Sequence, residues 1–378
     1  MKKLPNLSLY IHIPWCSRKC YYCDFNSYQI KKKIPQKKYI ENLLNDLDKD
    51  LLIINNRKIK SIFIGGGTPS LFDPEIIEYL ICHVKKKLQV SKTAEVTIES
   101  NPNTIELKKI NQFIKIGINR FSIGIQTFNT KILKSLGREY SRSQVQDLLY
   151  NISNIQNINF NIDIMHNLPG QSYNNAIYDL KKIILINPSH ISWYELTIEP
   201  NTIFFYKKPK NIPNERTNLK ILKKGKYMLE KAGYSQYEIS SFAKPGFQCI
   251  HNKNYWDFND YIGIGCGAHG KITQINGDII RTIKNKNIDM FMKGLYLKKK
   301  YKIKERDLPI EYFINKFRLL NPIKKICFSS KTNIPYVNIE NKIKIAVNQG
   351  YLLETQFYWT ITKKGINFMN NLLEIFLN

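Results

Sequence analysis

The chain has 378 residues, 43% of them hydrophobic, with 18 Gly and 15 Pro; that is enough apolar matter for a sizeable core and excludes a disordered, collagen-like or linker-like chain. The net charge is +28, yet only nine of the 58 basic residues are Arg, and the Lys is scattered beside Ile and Asn, as in an AT-rich genome, rather than gathered into a nucleic-acid surface. No apolar run is long enough to span a membrane and the opening MKKLPNLSLYIHIPW has no signal-peptide core, so a cytoplasmic protein without nucleic-acid partners is expected.

Short apolar, β-rich runs fall at Leu7–Ile13, Ser61–Ile64, Glu95–Glu99, Arg120–Ile125, Ile158–Ile164 and Ile191–Ile198. Helix-like stretches lie between them at Lys38–Leu52, Pro74–Lys87, Ile105–Ile116, Ser143–Ile155 and Asn174–Leu185. Strand alternating with helix predicts βαβ units and a parallel sheet. Six such units predict an α/β fold with a partial TIM-type (β/α)6 barrel, whose chemistry should sit at the C-terminal ends of the strands. Past residue 235 a Gly- and aromatic-rich segment, a Lys-rich segment read as helical, and a short helix–strand pair–helix tail follow. The expected division is a barrel over 1–236, an extension over 237–290 and a small winged-helix-like accessory domain over 291–378.

Seven cysteines without a signal peptide argue against a disulfide framework. Three of them, Cys16, Cys20 and Cys23, form a CxxxCxxC run directly after the first strand. Three thiolates on one tight loop can hold three irons of a four-iron, four-sulfur cluster and leave the fourth iron open. Zinc is the competing metal; it asks for a fourth protein ligand and paired CxxC spacings. Polar residues stand at successive predicted strand ends: Glu99 on the third, Gln126 on the fourth, Asp163 on the fifth. Each alone would serve as a helix cap or loop bond, but together, on the cluster face, they point to a ligand site. The glycine run at 65–67 before Thr68 lets a ligand approach the backbone closely.

The cysteine spacing is the signature of the radical SAM superfamily. The wider run LYIHIPWCSRKCYYCDF resembles its coproporphyrinogen III oxidase-like branch, and the resemblance continues through GGGTPS (65–70), ESNPN (99–103), RFSIGIQTF (120–128), LGREY (136–140), DIMHNLPGQ (163–171), HISWYELTIE (190–199), CIHNKNYW (249–256) and GIGCGAHG (263–270). One departure is MHNLPGQ, where the family often has Tyr in place of His166. The resemblance implies a [4Fe–4S] cluster on Cys16, Cys20 and Cys23, and S-adenosyl-L-methionine (SAM) bound by Gly66, Gly67, Thr68, Glu99, Gln126, Arg138 and Asp163. Arg138 would meet the SAM carboxylate, and Tyr10 and the Tyr22 backbone would flank the ligand. One electron from the reduced cluster can then cleave the sulfonium C–S bond, with the protein positioning the reactants and excluding side reactions.

Two functions compete within that branch. One is oxidative decarboxylation of coproporphyrinogen III. The other is heme binding and delivery by the heme chaperones. The oxidases resemble CxxxCxxCxC with a long N-terminal extension; here Phe25 holds the further cysteine's place and the first cysteine is already at residue 16. His251 through Trp256 match the HNxxYW motif of the chaperones. The favoured expectation is therefore a heme chaperone rather than an oxidase. Its partners would be heme, heme-acceptor proteins (membrane respiratory proteins among them) and an electron donor for the cluster. His251 is the expected axial ligand, with Cys249 and His269 as alternatives. Oligomeric state, monomer or heme-linked dimer, stays open.

Overall fold

The computed structural model describes residues 4–138, 140–155 and 158–377, with the side chain of Arg142 excepted; Glu139 of the LGREY run and the outermost residues of the expected domains lie outside them. Six parallel strands with β-branched and aromatic interiors are β1 (Leu7–Ile13), β2 (Ile59–Gly66), β3 (Val90–Ser100), β4 (Arg120–Gln126), β5 (Asn159–His166) and β6 (His190–Glu195). Helices return the chain over their outer face: α1 (Gln36–Asp50), α2 (Pro74–Lys87), α3 (Leu107–Ile116), α4 (Arg142–Ser153), α5 (Tyr173–Ile186) and α6 (Glu215–Lys231). Gly117 ends α3 in the left-handed conformation, and Ser172 caps α5 through a capping box with Asn175. The predicted barrel and its order are thus present.

The sheet does not stop at six strands. β7 (Ser235–Glu238) and β8 (Ser241–Ala243) pair antiparallel beyond β6. On the other side β9 (Asp260–Ile264) runs parallel to β1, followed by antiparallel β10 (His269–Thr273), β11 (Ile279–Lys284) and β12 (Leu297–Lys302). Among the described residues the order is β12-β11-β10-β9-β1-β2-β3-β4-β5-β6-β8-β7. The Lys-rich segment after Gly270 is therefore mainly antiparallel strand, and only the short stretch Ile288–Met292 within it is helical. Its β-branched run Ile279–Ile283 and the Asn276-Gly277 turn outweigh a Lys content that carries no period. β12 is exposed along its length, and its lysines blunt the open edge. It lies past the expected boundary at 290, yet it is still paired to β11.

Between β8 and β9 the short helix α7 (Ile250–Trp256) carries the HNxxYW residues into the N-terminal end of the barrel. There Glu95 of β3 accepts the backbone N–H groups of Ile250 and His251 at 3.1 Å each. A second hydrophobic cluster gathers Phe313, Phe317, Phe328, Trp359 and Phe376 under α8 (Leu308–Lys316), α9 (Lys325–Thr332) and α10 (Glu340–Asn348). A three-stranded antiparallel sheet completes this accessory unit, with β13 (Ile323–Lys324) and β14 (Leu352–Glu354) on either side of the central β15 (Tyr358–Ile361). Among the described residues no helix is long and apolar enough to cross a membrane.

Candidate functional site

The C-terminal ends of the barrel strands open into a cavity of about 330 Å³. The loop after β1 brings Cys16, Cys20 and Cys23 to one wall, tightened by a bond from the Cys23 N–H to the Cys20 carbonyl at 3.2 Å. Burial pushes the Cys16 thiol up to about 11; a bond from Ser27 opposes the shift, and its neighbours Cys23 and Cys20 add to it. Thiols so placed ionise together only beside a compensating cation. Among the described residues no three His, Cys, Asp or Glu side chains converge on one metal-ion position. Thiols ranged along a wall fit a cluster, in which each meets a different iron.

The glycine turn after β2 forms the next wall. Gly67 N–H donates to the Ile13 carbonyl at 2.8 Å and Thr68 N–H to the Trp15 carbonyl at 2.7 Å, so the turn lies flat on the root of the cysteine loop. A Cβ on Gly67 would collide with the Trp15 carbonyl, so only glycine fits there. Gly66 N–H donates to Glu99 Oε2 at 3.0 Å. Burial pushes the Glu99 carboxyl up to about 8; the Gly66 bond opposes this and the charge of Asp163 adds to it.

Arg138 reaches the same space. Its Nη1 donates to Asn101 Oδ1 (3.0 Å) and the Gly124 carbonyl (2.7 Å), and its Nη2 to the Tyr22 hydroxyl (3.1 Å). Its Nε is buried without a partner, and no carboxylate of the chain pairs with this guanidinium among the described residues. A cation held this way is suited to a ligand carboxylate. Gln126 ends β4 at φ +67°, a strained conformation for a side-chain-bearing residue, and its Oε1 accepts the Tyr194 hydroxyl at 2.8 Å. Asp163 accepts Asn161 Nδ2 (2.8 Å) and Ser122 Oγ (3.1 Å). The free thiols, the unpartnered Nε and the Cβ-free turn together fit a thiolate-ligated cluster with an amino-acid-bearing ligand beside it.

Of the sequence-predicted residues, Cys16, Cys20, Cys23, Tyr22, Gly66, Gly67, Thr68, Glu99, Gln126, Arg138 and Asp163 all line this cavity. Tyr10 does not. Its hydroxyl bonds His12 Nδ1 at 2.8 Å, and it faces a second groove. His251 is displaced from the role expected of it. The ring is 1% exposed, Nδ1 bonds Ser61 Oγ at 2.9 Å and Nε2 bonds the Tyr255 hydroxyl at 2.9 Å, so neither nitrogen is open to a metal. The cause is α7, which presents this side chain to the barrel interior. Cys249 is equally closed: burial pushes its thiol up to about 12, and its Sγ bonds Glu95. Asn101 and Tyr194 also line the cavity although the sequence reading did not single them out. Tyr194 stands at the end of β6, so the strand-end rule applied once more would have found it.

A sequence profile of the Radical SAM superfamily matches residues 10–183. The chain is 54% identical over 378 residues to the "Heme chaperone HemW" of Buchnera aphidicola subsp. Schizaphis graminum, covering all of both chains. It is 46% identical over 377 residues to the "Heme chaperone HemW" of Escherichia coli, again covering all of both. Among solved structures it superposes on the radical SAM enzyme coproporphyrinogen III oxidase (HemN) of Escherichia coli with a TM-score of 0.84 at 22% identity, covering 99% of this chain and 90% of that one, a likeness of fold. The chain belongs to the heme chaperone HemW family of the radical SAM superfamily.

Proposed function

We propose that this chain is a heme chaperone of the cytoplasm that binds heme beside a [4Fe–4S] cluster and SAM, and releases heme to acceptor proteins. The observation that carries the reading is the likeness over the whole chain to relatives named heme chaperones. Phe25 in the place of the oxidases' further cysteine supports it.

Cys16, Cys20 and Cys23 hold the cluster and leave one iron for SAM. Gly66, Gly67 and Thr68 let the SAM amino group approach the backbone, with the Glu99 carboxylate facing it. Arg138 pairs with the SAM carboxylate, held in place by the hydroxyl of Tyr22 and the amide of Asn101. Gln126 and Asp163 close the far side of the cavity. When bound and reduced, the cluster supplies one electron to the SAM sulfonium. His251 acts on the heme side indirectly, by orienting Tyr255, and Tyr10 stands between the two cavities.

The test is a heme titration of the anaerobically reconstituted full chain, followed in the Soret band, then mixing with apomyoglobin. Saturable binding and transfer are expected. No saturable binding would overturn the reading. Decarboxylation of coproporphyrinogen III that depends on SAM and a reductant would then put the oxidase in its place.

A further inference from the structure

A second groove of about 380 Å³ lies beside the barrel, between α7 and the loop that leads into β10. Its walls carry Phe25, Tyr255, Trp256 and Tyr261, with Lys286 and His269 at the rim. We propose that this groove seats the heme and that His269 supplies the axial nitrogen to its iron. The proposal rests on the heme-chaperone reading above and assigns its site.

The histidines on this side of the barrel separate cleanly. His251 has both ring nitrogens engaged. So has His12, through the Tyr10 hydroxyl on Nδ1 and the Asn26 carbonyl on Nε2 at 2.8 Å. His269 is exposed, and among the described residues neither of its ring nitrogens has a hydrogen-bond partner. It opens β10, where its backbone pairs with Ile283, so the imidazole projects from a fixed strand rather than a loose tip. Desolvation in the groove, together with the charges of Lys286 and Arg281, holds its pKa below the ordinary imidazole value. The neutral ring is the form that ligates a metal.

The rest of the groove suits a flat, apolar, dianionic ring. Tyr255 is fixed by the T-shaped contacts it makes with His251 and Tyr261. Trp256 presents a buried Nε1 without a hydrogen-bond partner, and Arg318 covers its ring at 4.3 Å. Lys286 is exposed and supplies positive charge where heme carboxylates would emerge. Its backbone carbonyl is anchored by Asn26 Nδ2 at 3.1 Å and the Tyr28 hydroxyl at 2.5 Å. The volume sits at the low end of the roughly 300–1,000 Å³ typical of ligand pockets, so a macrocycle is gripped along one edge and left accessible on the other. That suits a ligand that must be handed on.

Hemin titrations of the anaerobically reconstituted full chain, read in the Soret band, decide the matter with three proteins: wild type, His269→Ala and His251→Ala. His269 is exposed, so its replacement leaves the fold intact, which circular dichroism checks. His269→Ala is expected to weaken binding on the order of tenfold or more and to lose the nitrogen-ligated spectrum. Added imidazole should restore that spectrum. His251→Ala should keep the nitrogen-ligated spectrum. A wild-type spectrum and affinity in His269→Ala would overturn this assignment while leaving the heme-chaperone reading intact. Absence of saturable hemin binding by the wild type would overturn both.

Discussion

Asn26 donates its side-chain amide to the Cys266 carbonyl at 2.9 Å, and so ties the cysteine loop to the glycine-rich loop 240 residues further along the chain. The same amide would meet a Cβ on Gly267 at 2.6 Å, and Gly267 has φ +86°. Gly267→Ala therefore faces a collision and a backbone conformation that only glycine adopts without strain, together costing about 1–3 kcal/mol. The expected result is a lower denaturation midpoint and a lower iron content after anaerobic reconstitution, because the displaced partner belongs to the loop bearing the thiols. If iron content and midpoint both stayed at wild-type values, the two loops would not be coupled in this way.

Glu99 is raised from 4.5 to about 8, with burial as the leading cause. A raised carboxyl is still protonated in the folded state at pH values where the unfolded chain has ionised. Folding thus takes up a proton between these two values, and stability falls as pH rises through that window. Glu99→Gln should flatten this dependence, by on the order of a few kcal/mol across it. A cationic ligand facing Glu99 should expel its proton. Calorimetry of SAM binding at pH 7 in buffers of different ionisation enthalpy should show proton release in the wild type and none in Glu99→Gln. Equal proton release in both would place the titrating group elsewhere.

Gln126 combines strain with contact, and the two can be separated. Its φ of +67° costs about 1–3 kcal/mol in a residue with a side chain, whereas Gly adopts it freely. The side chain in turn receives the Tyr194 hydroxyl at the cavity wall. Gln126→Gly should therefore leave thermal stability unchanged or raise it while weakening SAM binding. A variant that loses stability and keeps its SAM affinity would contradict the assignment of this residue to the cavity.

The barrel was legible in the sequence because each strand is an apolar run bounded by turn residues, and each helix buries a periodic face. The cavity was legible for the same reason: parallel strands put Glu99, Gln126 and Asp163 at one end whatever the details of packing. The surroundings of His251 were not. Its motif gives its neighbours in sequence, but Ser61, Phe63 and Glu95 come from β2 and β3, and their meeting with α7 depends on that helix entering the barrel. The second groove was hidden likewise, since Phe25, Tyr261 and Lys286 are far apart along the chain. Nor did composition reveal the hairpin after Gly270, because lysine is tolerated on an exposed edge strand and on a helix alike.

Asp260 opens β9 and anchors a buried network of charges outside the cavity. It is fully buried, and its carboxylate accepts Arg57 Nη1 at 2.6 Å, Lys271 Nζ at 2.9 Å, the Thr273 N–H at 2.7 Å and the Thr273 hydroxyl at 2.9 Å. Burial alone would push the carboxyl up, but the charges and bonds of Lys271 and Arg57 outweigh it and hold the carboxyl below its ordinary value of 3.8. A depressed carboxyl contributes stability above the unfolded pKa and loses it as pH falls through the folded one. Lys271 is 2% exposed, so removing its partner strands a cation in the interior. Asp260→Ala should destabilise the chain by about 3–5 kcal/mol at neutral pH. Adding Lys271→Met, which keeps the apolar stem against Phe258 (Nζ lies 4.1 Å from that ring), removes the stranded charge. Chemical denaturation of the two single variants and the double variant at pH 7 should therefore find the double variant more stable than Asp260→Ala alone. Strict additivity of the two single losses would mean that the pair is not coupled and that the hydrogen bonds to Thr273 carry the effect.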